Sequence, residues 1–421
     1  MKKHLLIIFF ILGIKLFAQN NLDFYTNKAI ENNASIIKLY NQNKINKLQI
    51  DLNYAQNSDF QISLTSNYLF APFFNNKSGL VTTNPNANAI GYDVGITNGG
   101  LYSAQFTVDK NIFNGAIIDA LNNRQSIQQE SIKNNIELAK RDLIKQVTDQ
   151  YLQTYLSFKL FELSSEIAAN LIRQLELFAE LSKNGIVSQS EYLLLSLENE
   201  NQNITKNEFY TQFKVSLFQL NSLCGIADTN IVTLDSVLLK TKSVIHQSEL
   251  FKKFELDSLS FQNEQQLFDT KYFPQISLFF NTGLNAVEIS NIQRKFGLSA
   301  GVNFSLPIYD GNQSSISQQQ NQILLESVKS FRENFKTTLN NQKISSQVRL
   351  ENINNNIKNL SKQMESYKTI INISEKLLQQ GQLSMFEYLT LLKNYTELRK
   401  NKITNEINYQ LEINNYNYWN Y

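Results

Sequence analysis

The chain has 421 residues, 18% of them charged, and a formal net charge of +2, so its charge gives no reason to expect nucleic acid as a partner. Its single cysteine, Cys224, excludes an intrachain disulfide and is expected to be a small buried residue. One cysteine and two histidines are too few ligands for a metal centre built from these residue types.

The first 18 residues are typical of a secretory signal. Two lysines precede an apolar run at residues 5–17, which Lys15 interrupts, so a membrane-spanning helix is not expected there. Cleavage after Ala18 would leave Gln19 as the first mature residue. Because Gln19 is not a cysteine, no N-terminal lipid anchor is expected.

Four segments alternate between apolar and polar residues and are therefore predicted to be strands. They are residues 60–70, 102–109, 274–284 and 297–308. Three of them are about 11 residues long and the segment 102–109 is somewhat shorter, which is close to the length that a tilted strand needs to cross a bilayer. The alternative interpretation is a soluble sheet with one wet face.

The predicted strands have a consequence for assembly. A strand cannot leave an unpaired edge in lipid, and four strands cannot close a barrel, since the smallest membrane barrels have about eight. The barrel is therefore expected to form from several chains, whose number the sequence does not fix. The connection within the first strand pair is 18 residues longer than that within the second, with the excess within residues 71–100. This segment is the predicted cell-exterior loop.

Two long helices are predicted, at residues 115–181 and 311–380. Neither contains proline, and at about 1.5 Å per residue each would be on the order of 100 Å long. Apolar residues recur in both at the 3.5-residue spacing of a coiled coil. The first stripe is Ile132, Ile136, Ala139, Leu143, Val147 and Tyr151, and the second is Ile353, Ile357, Leu360, Met364, Tyr367 and Ile371.

Each long helix is predicted to turn back at a glycine and form an antiparallel hairpin. Gly185 and Gly381 fit left-handed C-caps. Capping boxes that would open the return helices follow both glycines: Ser188 with Glu191, and Ser384 with Glu387.

The chain repeats itself at a constant offset of 196 residues. The clearest match pairs Ile112-Phe113-Asn114-Gly115 with Ile308-Tyr309-Asp310-Gly311. The hairpin-tip residues Gly185, Ser188 and Glu191 match Gly381, Ser384 and Glu387 at the same offset. We therefore expect a duplicated molecule: a signal peptide at residues 1–18, a first repeat at 19–225, a linker at 226–245 and a second repeat at 246–421.

The sequence contains no recognisable catalytic constellation. A Ser-His-Asp arrangement would have to use His246, which lies in a polar stretch where a solvated side chain is expected. An enzyme built on carboxylates alone is the remaining alternative. We expect no enzyme activity, no cofactor and no metal site.

All these features in this order, present twice, resemble the TolC-type outer-membrane factor family. That family forms the exit ducts of tripartite efflux pumps and type I secretion systems. No single motif is specific. The strand-to-helix signature is Leu306-Pro307-Ile308-Tyr309-Asp310-Gly311, and the first half has Asn111 in place of the proline. The tip motif is Asn184-Gly185-Ile186-Val187-Ser188, and again Gln380-Gly381-Gln382-Leu383-Ser384.

The resemblance implies a mixed α/β membrane protein, a homotrimer. Four strands per chain would form a twelve-stranded β-barrel, continued by an α-helical coiled-coil tunnel through the periplasm. The expected function is passive export across the outer membrane. Partners would be a periplasmic adaptor (membrane fusion) protein at the hairpin tips and an inner-membrane pump of the RND, ABC or MFS type. The candidate docking residues are Gly185, Ser188, Glu191, Gly381 and Ser384.

The resemblance also implies a pore constriction near the second tip, where the family has an acidic ring. Glu387 keeps one carboxylate of that ring, while Thr390 stands at the next acidic position, so the ring would carry half the charge. Glu387 is equally well explained as the capping partner of Ser384. The rival function for the whole chain is a non-transporting periplasmic coiled-coil scaffold, which would need no lipid-facing strands.

Overall fold

The computed structural model describes residues 21–69, 73–74, 81–82, 88, 90–91, 102–185, 187–243, 249–286 and 292–420. The predicted signal peptide, His246 and most of the predicted exterior loop lie outside these residues. The chain divides into two compact units. The first takes in the described parts of Met1–Tyr40, Asn134–Lys252 and Phe331–Tyr421, and the second those of Asn41–Lys133 and Lys253–Ser330.

The described residues form seven α-helices and six strands. The helices are α1 Leu22–Asn32, α2 Ala34–Asn57, α3 Gly115–Lys183, α4 Gln189–Leu223, α5 Glu249–Asp269, α6 Gln313–Gln379 and α7 Met385–Trp419. The strands are β1 Gln61–Tyr68, β2 Phe73–Phe74, β3 Val81–Thr82, β4 Tyr102–Asn111, β5 Gln275–Ala286 and β6 Phe296–Ser305. None of the helices in the described part of the chain has the length and hydrophobicity of a membrane-spanning helix.

The two predicted long helices are confirmed as α3, with 69 residues, and α6, with 67. Helix α6 begins two residues later than predicted because Gly311 and Asn312 both have left-handed backbones, with φ of 69° and 68°. The Asp310 carboxylate accepts hydrogen bonds from the backbone N–H groups of Asn312 (2.8 Å) and Ser314 (3.0 Å). This side chain therefore satisfies donors that the first turn of α6 leaves open.

The predicted apolar stripes differ in burial between the two long helices. The α3 stripe is buried at Ile132, Ile136, Leu143, Val147 and Tyr151. All six positions of the α6 stripe are only half-buried, and nearly all residues between them are exposed. The single chain therefore covers α3 much better than α6.

In the first unit, one apolar core joins α1, α2, α3 and α4. The Tyr25 and Tyr151 rings meet edge to face, with centroids 5.7 Å apart. Cys224 is fully buried in the same core, as predicted, and burial raises the pKa of its thiol to about 12. A thiol this buried and this weakly acidic is unreactive.

The segment after α4 is extended and is fixed by side-chain amides of α7. Asn417 accepts a hydrogen bond from the backbone N–H of Lys242 (2.8 Å) and donates one to the carbonyl of Lys240 (2.9 Å). Asn420 donates to the carbonyl of Lys242 (2.7 Å). These amides supply hydrogen bonds that a neighbouring strand would otherwise provide.

The second unit contains an antiparallel sheet with strand order β1-β4-β5-β6. The prediction of four alternating strands is confirmed. The strands β2 and β3 form a separate two-stranded hairpin within the predicted exterior loop, which the sequence did not predict. Buried asparagines bridge the helices of this unit: Asn46 donates to the carbonyl of Gln125 (2.7 Å) and Asn263 to that of Ala120 (3.2 Å).

Candidate functional site

One face of the four-stranded sheet carries apolar side chains that the single chain leaves uncovered. In the sheet register they form rows across the strands, for example Val108, Phe280 and Ala300 beside Ile62. Leu298 is 75% exposed, which is unusual for a leucine in a strand. A continuous apolar face of this kind requires a cover of lipid or protein. Its exposed members are Ile62, Leu64, Tyr68, Phe106, Leu278, Phe280, Phe296, Leu298, Val302 and Phe304.

Lys110 is the only charged residue on the apolar face among the described strand residues. Its Nζ lies 4.2 Å from the centroid of the Phe60 ring, and its cross-strand neighbour is Leu278. It lies near the end of the sheet at which the helices join the strands. A lysine beside an aromatic ring is typical of the boundary between hydrocarbon and polar headgroups.

The opposite face of the sheet is polar and almost uncharged. Along each strand, the residues of this face alternate with those of the apolar face. Most of them carry an amide or a hydroxyl group or are glycines, so the face suits contact with water. Its members are Gln61, Ser63, Thr65, Asn67, Ser103, Gln105, Thr107, Asp109, Asn111, Gln275, Ser277, Phe279, Asn281, Gly283, Asn285, Gly297, Ser299, Gly301, Asn303 and Ser305.

Within the described part of the chain, both edges of this sheet are open. The strands β1 and β6 each pair there on one side only, so each presents a row of backbone groups that no described strand pairs. At the end of β6, Ile308 is 95% and Tyr309 83% exposed. An uncovered sheet edge beside such residues marks a surface that another chain has to cover.

The two hairpin tips have the same backbone conformation. Gly185 and Gly381 both have φ of 71°, as predicted for left-handed caps. At the second tip, Gly381 N–H donates to the Leu378 carbonyl (3.1 Å) and Gln382 N–H to that of Leu377 (2.9 Å). Nothing lies within 4 Å of a side chain built at either glycine. The glycines are therefore needed for backbone conformation and not for packing space.

Both predicted capping boxes are present. The Ser384 backbone N–H and hydroxyl donate to the Glu387 carboxylate at 3.1 and 2.8 Å, and the Glu387 N–H donates to the Ser384 hydroxyl at 3.3 Å. Ser188 and Glu191 repeat the three contacts at the same distances. The role of both glutamates as helix caps is confirmed.

The predicted constriction residues lie on the exposed face of α7. The Ser384 hydroxyl, and then its backbone N–H, hold the pKa of the exposed Glu387 carboxyl below its usual value. The Thr390 hydroxyl donates to the Phe386 carbonyl at 2.8 Å, within its own helix. Phe386 itself is 70% exposed. The second carboxylate position is thus occupied by a hydroxyl group already bonded to the backbone.

The two capping glutamates differ in their further contacts. Glu191 has a lowered pKa, chiefly through the Ser188 hydroxyl, and the nearby backbone N–H of Met385 lowers it slightly further. Met385 is the first residue of α7, so the Glu191 carboxylate of the first tip lies close to the second tip.

Beneath the tips, the two hairpins share an apolar core. Met385 and Tyr388 are buried against Leu171 and Leu195. The Tyr388 hydroxyl accepts a hydrogen bond from the Gln174 side chain. Because Met385 and Tyr388 face this core, the side chains of Phe386 and Glu387 are left on the surface of α7.

A bidentate ion pair joins the hairpins farther from the tips. Two nitrogens of the Arg399 guanidinium donate to the two carboxylate oxygens of Glu166, each at 2.8 Å. This pairing lowers the pKa of Glu166 and raises that of Arg399. It links α7 to α3 within one chain, in the geometry that favours arginine over lysine.

Among the described residues, no group of three or more His, Cys, Asp or Glu side chains is arranged to hold a metal ion. The two candidate functional surfaces are the sheet, with its apolar and polar faces, and the hairpin tips.

Solved structures share this architecture over nearly the whole chain. CusC, described for transmembrane channel formation, matches with a TM-score of 0.71 at 11% identity, over 94% of this chain and 90% of that one. The outer membrane protein VceC of Vibrio cholerae matches with a TM-score of 0.69 at 9% identity, over 95% and 96%. The CmeC outer membrane channel of Campylobacter jejuni matches with a TM-score of 0.69 at 14% identity, over 94% and 85%. No protein-family model matches the chain, and no curated protein matches its sequence.

The chain has the TolC-like channel fold. The fold class predicted from the alternating strands and long helices is confirmed. Three interactions were not predicted: the electrostatic effect of the Met385 N–H on Glu191, the ion pair of Arg399 with Glu166, and the cation–π contact of Lys110. Each joins residues far apart in the sequence or depends on strand register. The periodicity of the sequence predicts single helices and strands, but it predicts neither distant contacts nor register.

Proposed function

We propose that the protein is an outer-membrane exit duct in which three copies close a twelve-stranded barrel that leads into a helical tunnel. The observation that carries this proposal is the sheet with one apolar face, one polar face and two open edges. Lipid would cover the apolar face and an aqueous lumen would hydrate the polar face. VceC and CmeC, which share the fold, are described as an outer membrane protein and an outer membrane channel.

Closure of the ring explains the open edges. If β6 of one copy pairs with β1 of the next, both edges are satisfied by a single contact, and repetition of that contact closes the ring. Four strands from each of three copies give twelve, which is above the minimum of about eight for a membrane barrel. The half-buried stripe on α6 and the exposed Ile308 and Tyr309 would be covered in the same assembly.

Export through this duct is passive in our proposal, and the energy comes from partners. At the second tip, Phe386 exposes an apolar side chain. Gly381 and Ser384 fix the backbone of this tip, and therefore the position of that side chain. Such a side chain suits docking of a periplasmic adaptor, which would connect the duct to an inner-membrane pump. Glu387 beside it is the proposed constriction carboxylate.

Fractionation and conductance test the proposal. The native protein should be found in the outer-membrane fraction, and the purified trimer should form conducting pores in planar bilayers. The rival periplasmic scaffold would be released with the periplasm and would not conduct. The exposed apolar rows of the sheet disfavour the scaffold, because a scaffold in water would have to leave them uncovered.

A further inference from the structure

The polar face of the sheet contains two exceptions to its composition. Asp109 is its only charged residue and Phe279 its only large apolar residue among the described strand residues. All other members are amides, hydroxyls or glycines. Such a face hydrates well but attracts neither ions nor aromatic groups strongly.

The two exceptions are neighbours. Asp109 of β4 and Phe279 of β5 are directly opposite in the antiparallel register. Opposite residues on one face have Cβ atoms roughly 4.5–5.5 Å apart. The carboxylate and the aromatic side chain therefore leave the sheet at the same level, from neighbouring strands.

Gly301 fixes the position of the Phe279 ring. It is opposite Phe279 on β6, and a Cβ built on it would lie 2.4 Å from Phe279 Cζ and 2.6 Å from Cε1. Those distances are impossible for real atoms, so the ring covers the glycine backbone and only glycine fits beneath it. The ring thus extends over β6, which explains the glycine but does not explain the single carboxylate on the other neighbouring strand, β4.

No described cation pairs with the Asp109 carboxylate. Asp109 takes part in none of the ion pairs among the described residues, and the adjacent Lys110 is on the opposite face. On the same face, two residues beyond Phe279, the side-chain oxygen of Asn281 is shielded from solvent and accepts no hydrogen bond from the described residues. The surroundings of the ring thus offer one charge and one acceptor.

We propose that Asp109 and Phe279 form a binding site for amphipathic organic cations on the lumen face of the barrel, one site per protomer. The carboxylate attracts the positive charge, and the ring adds a cation–π contact and apolar area. The inference rests on the proposed function, because the polar face lines a lumen only if the barrel closes. The site assigns a class of ligand, organic cations, to a proposed duct whose polar wall is otherwise uncharged in the described strands.

Binding of ethidium, an aromatic cation, to the purified trimer in a neutral detergent tests the site by fluorescence polarisation. The variants are Asp109→Asn, which removes the charge at constant shape, and Phe279→Leu, which keeps an apolar group over Gly301. Each is expected to weaken ethidium binding roughly 3- to 30-fold, in line with the loss of one desolvated charge or cation–π contact. Fluorescein, an anionic aromatic dye, should not bind any of the proteins.

A relocated charge is the matched control. The double variant Thr107→Asp/Asp109→Asn keeps one carboxylate on the same face but moves it to the row opposite Asn281. It should remain as weak as Asp109→Asn. If it binds ethidium as well as the original protein, or if Asp109→Asn and Phe279→Leu bind unchanged, the site is overturned.

The same samples separate this inference from the proposed function. Trimer formation and bilayer conductance are measured on every variant. Conducting trimers with unchanged ethidium binding would remove only the cation site, whereas a chain that forms neither trimers nor pores would remove the duct itself.

Discussion

The backbone N–H of Met385, the first residue of the second return helix, lies close enough to the Glu191 carboxylate to lower its pKa. Glu191 therefore caps its own helix and also lies beside the start of the second return helix. Glu387 occupies the equivalent place in the second half, and the contacts that lower its pKa are all with Ser384. The two capping glutamates therefore differ in their surroundings: Glu387 is exposed, whereas Glu191 is half-buried.

This difference predicts unequal effects of two matched substitutions. Glu387→Gln should reduce the cation preference of single channels in planar bilayers and weaken block by divalent cations, because it removes three carboxylates from the proposed constriction. Glu191→Gln should change selectivity less. Equal effects of the two variants on selectivity would contradict the assignment of the constriction to Glu387.

The pH dependence of selectivity tests the state of Glu387. The bonds from Ser384 lower its pKa in the folded chain, so this cap stabilises the tip above the pKa of the unfolded state and is lost as pH falls through the folded value. Repulsion among three carboxylates at a constriction acts in the opposite direction. A selectivity midpoint clearly above the ordinary glutamate value of about 4.3 would indicate that repulsion dominates, and a midpoint below it that the cap dominates.

We expect the tip glycines to support docking of the adaptor only through the backbone conformation that they allow. Gly381→Val should reduce efflux in cells, because a β-branched residue is strained at φ of 71° although the space is open. Gly381→Asn is the matched control, since asparagine tolerates the left-handed conformation. Efflux by each variant is compared with its trimer yield. If Gly381→Val loses trimer and efflux together, the glycine serves assembly and not docking.

The register of β6 predicts where a charge is most harmful. Val302→Arg should impair membrane insertion, with a cost approaching roughly 2–4 kcal/mol near the midplane, whereas Phe304→Arg, closer to the helix-joined end of β6, should cost less. Asn303→Arg lies between them on the polar face and is the control. Heat-modifiable trimer recovered from outer membranes measures insertion. Equal recovery of the Val302 and Asn303 variants would show that the apolar face does not meet lipid.

Arg399 and Glu166 should contribute measurably to docking of the two hairpins. Because the pair is partly solvent-exposed, a double-mutant cycle with Arg399→Gln and Glu166→Gln should give a coupling of about 0.5–1 kcal/mol. The denaturant dependence of trimer unfolding supplies the four free energies. The coupling should shrink at high salt. A coupling indistinguishable from zero at low salt would mean that the apolar core beneath the tips holds the hairpins alone.

The sequence predicts most of the fold because its periods are clear. Alternation identified all four long strands, and the 3.5-residue stripes with Gly185 and Gly381 identified both hairpins. The extended segment at residues 226–243 has no such period, because amides such as Asn417 fix its backbone from a distant helix. The pairing of Asp109 with Phe279 was equally hidden, since it depends on the register between β4 and β5.

In the proposed barrel, β1 of one copy pairs with β6 of the next. Within one chain these strands cannot meet, because β4 and β5 lie between them. The direct test introduces Thr65→Cys in β1 and Ser299→Cys in β6 on the polar face, in a Cys224→Ala background, and treats outer membranes with a short bis-maleimide. We expect covalent dimers and trimers from the double variant, and no more than a background of dimers from either single variant. A double variant that stays entirely monomeric, although both cysteines react with a mono-maleimide, would contradict the pairing of β1 with β6.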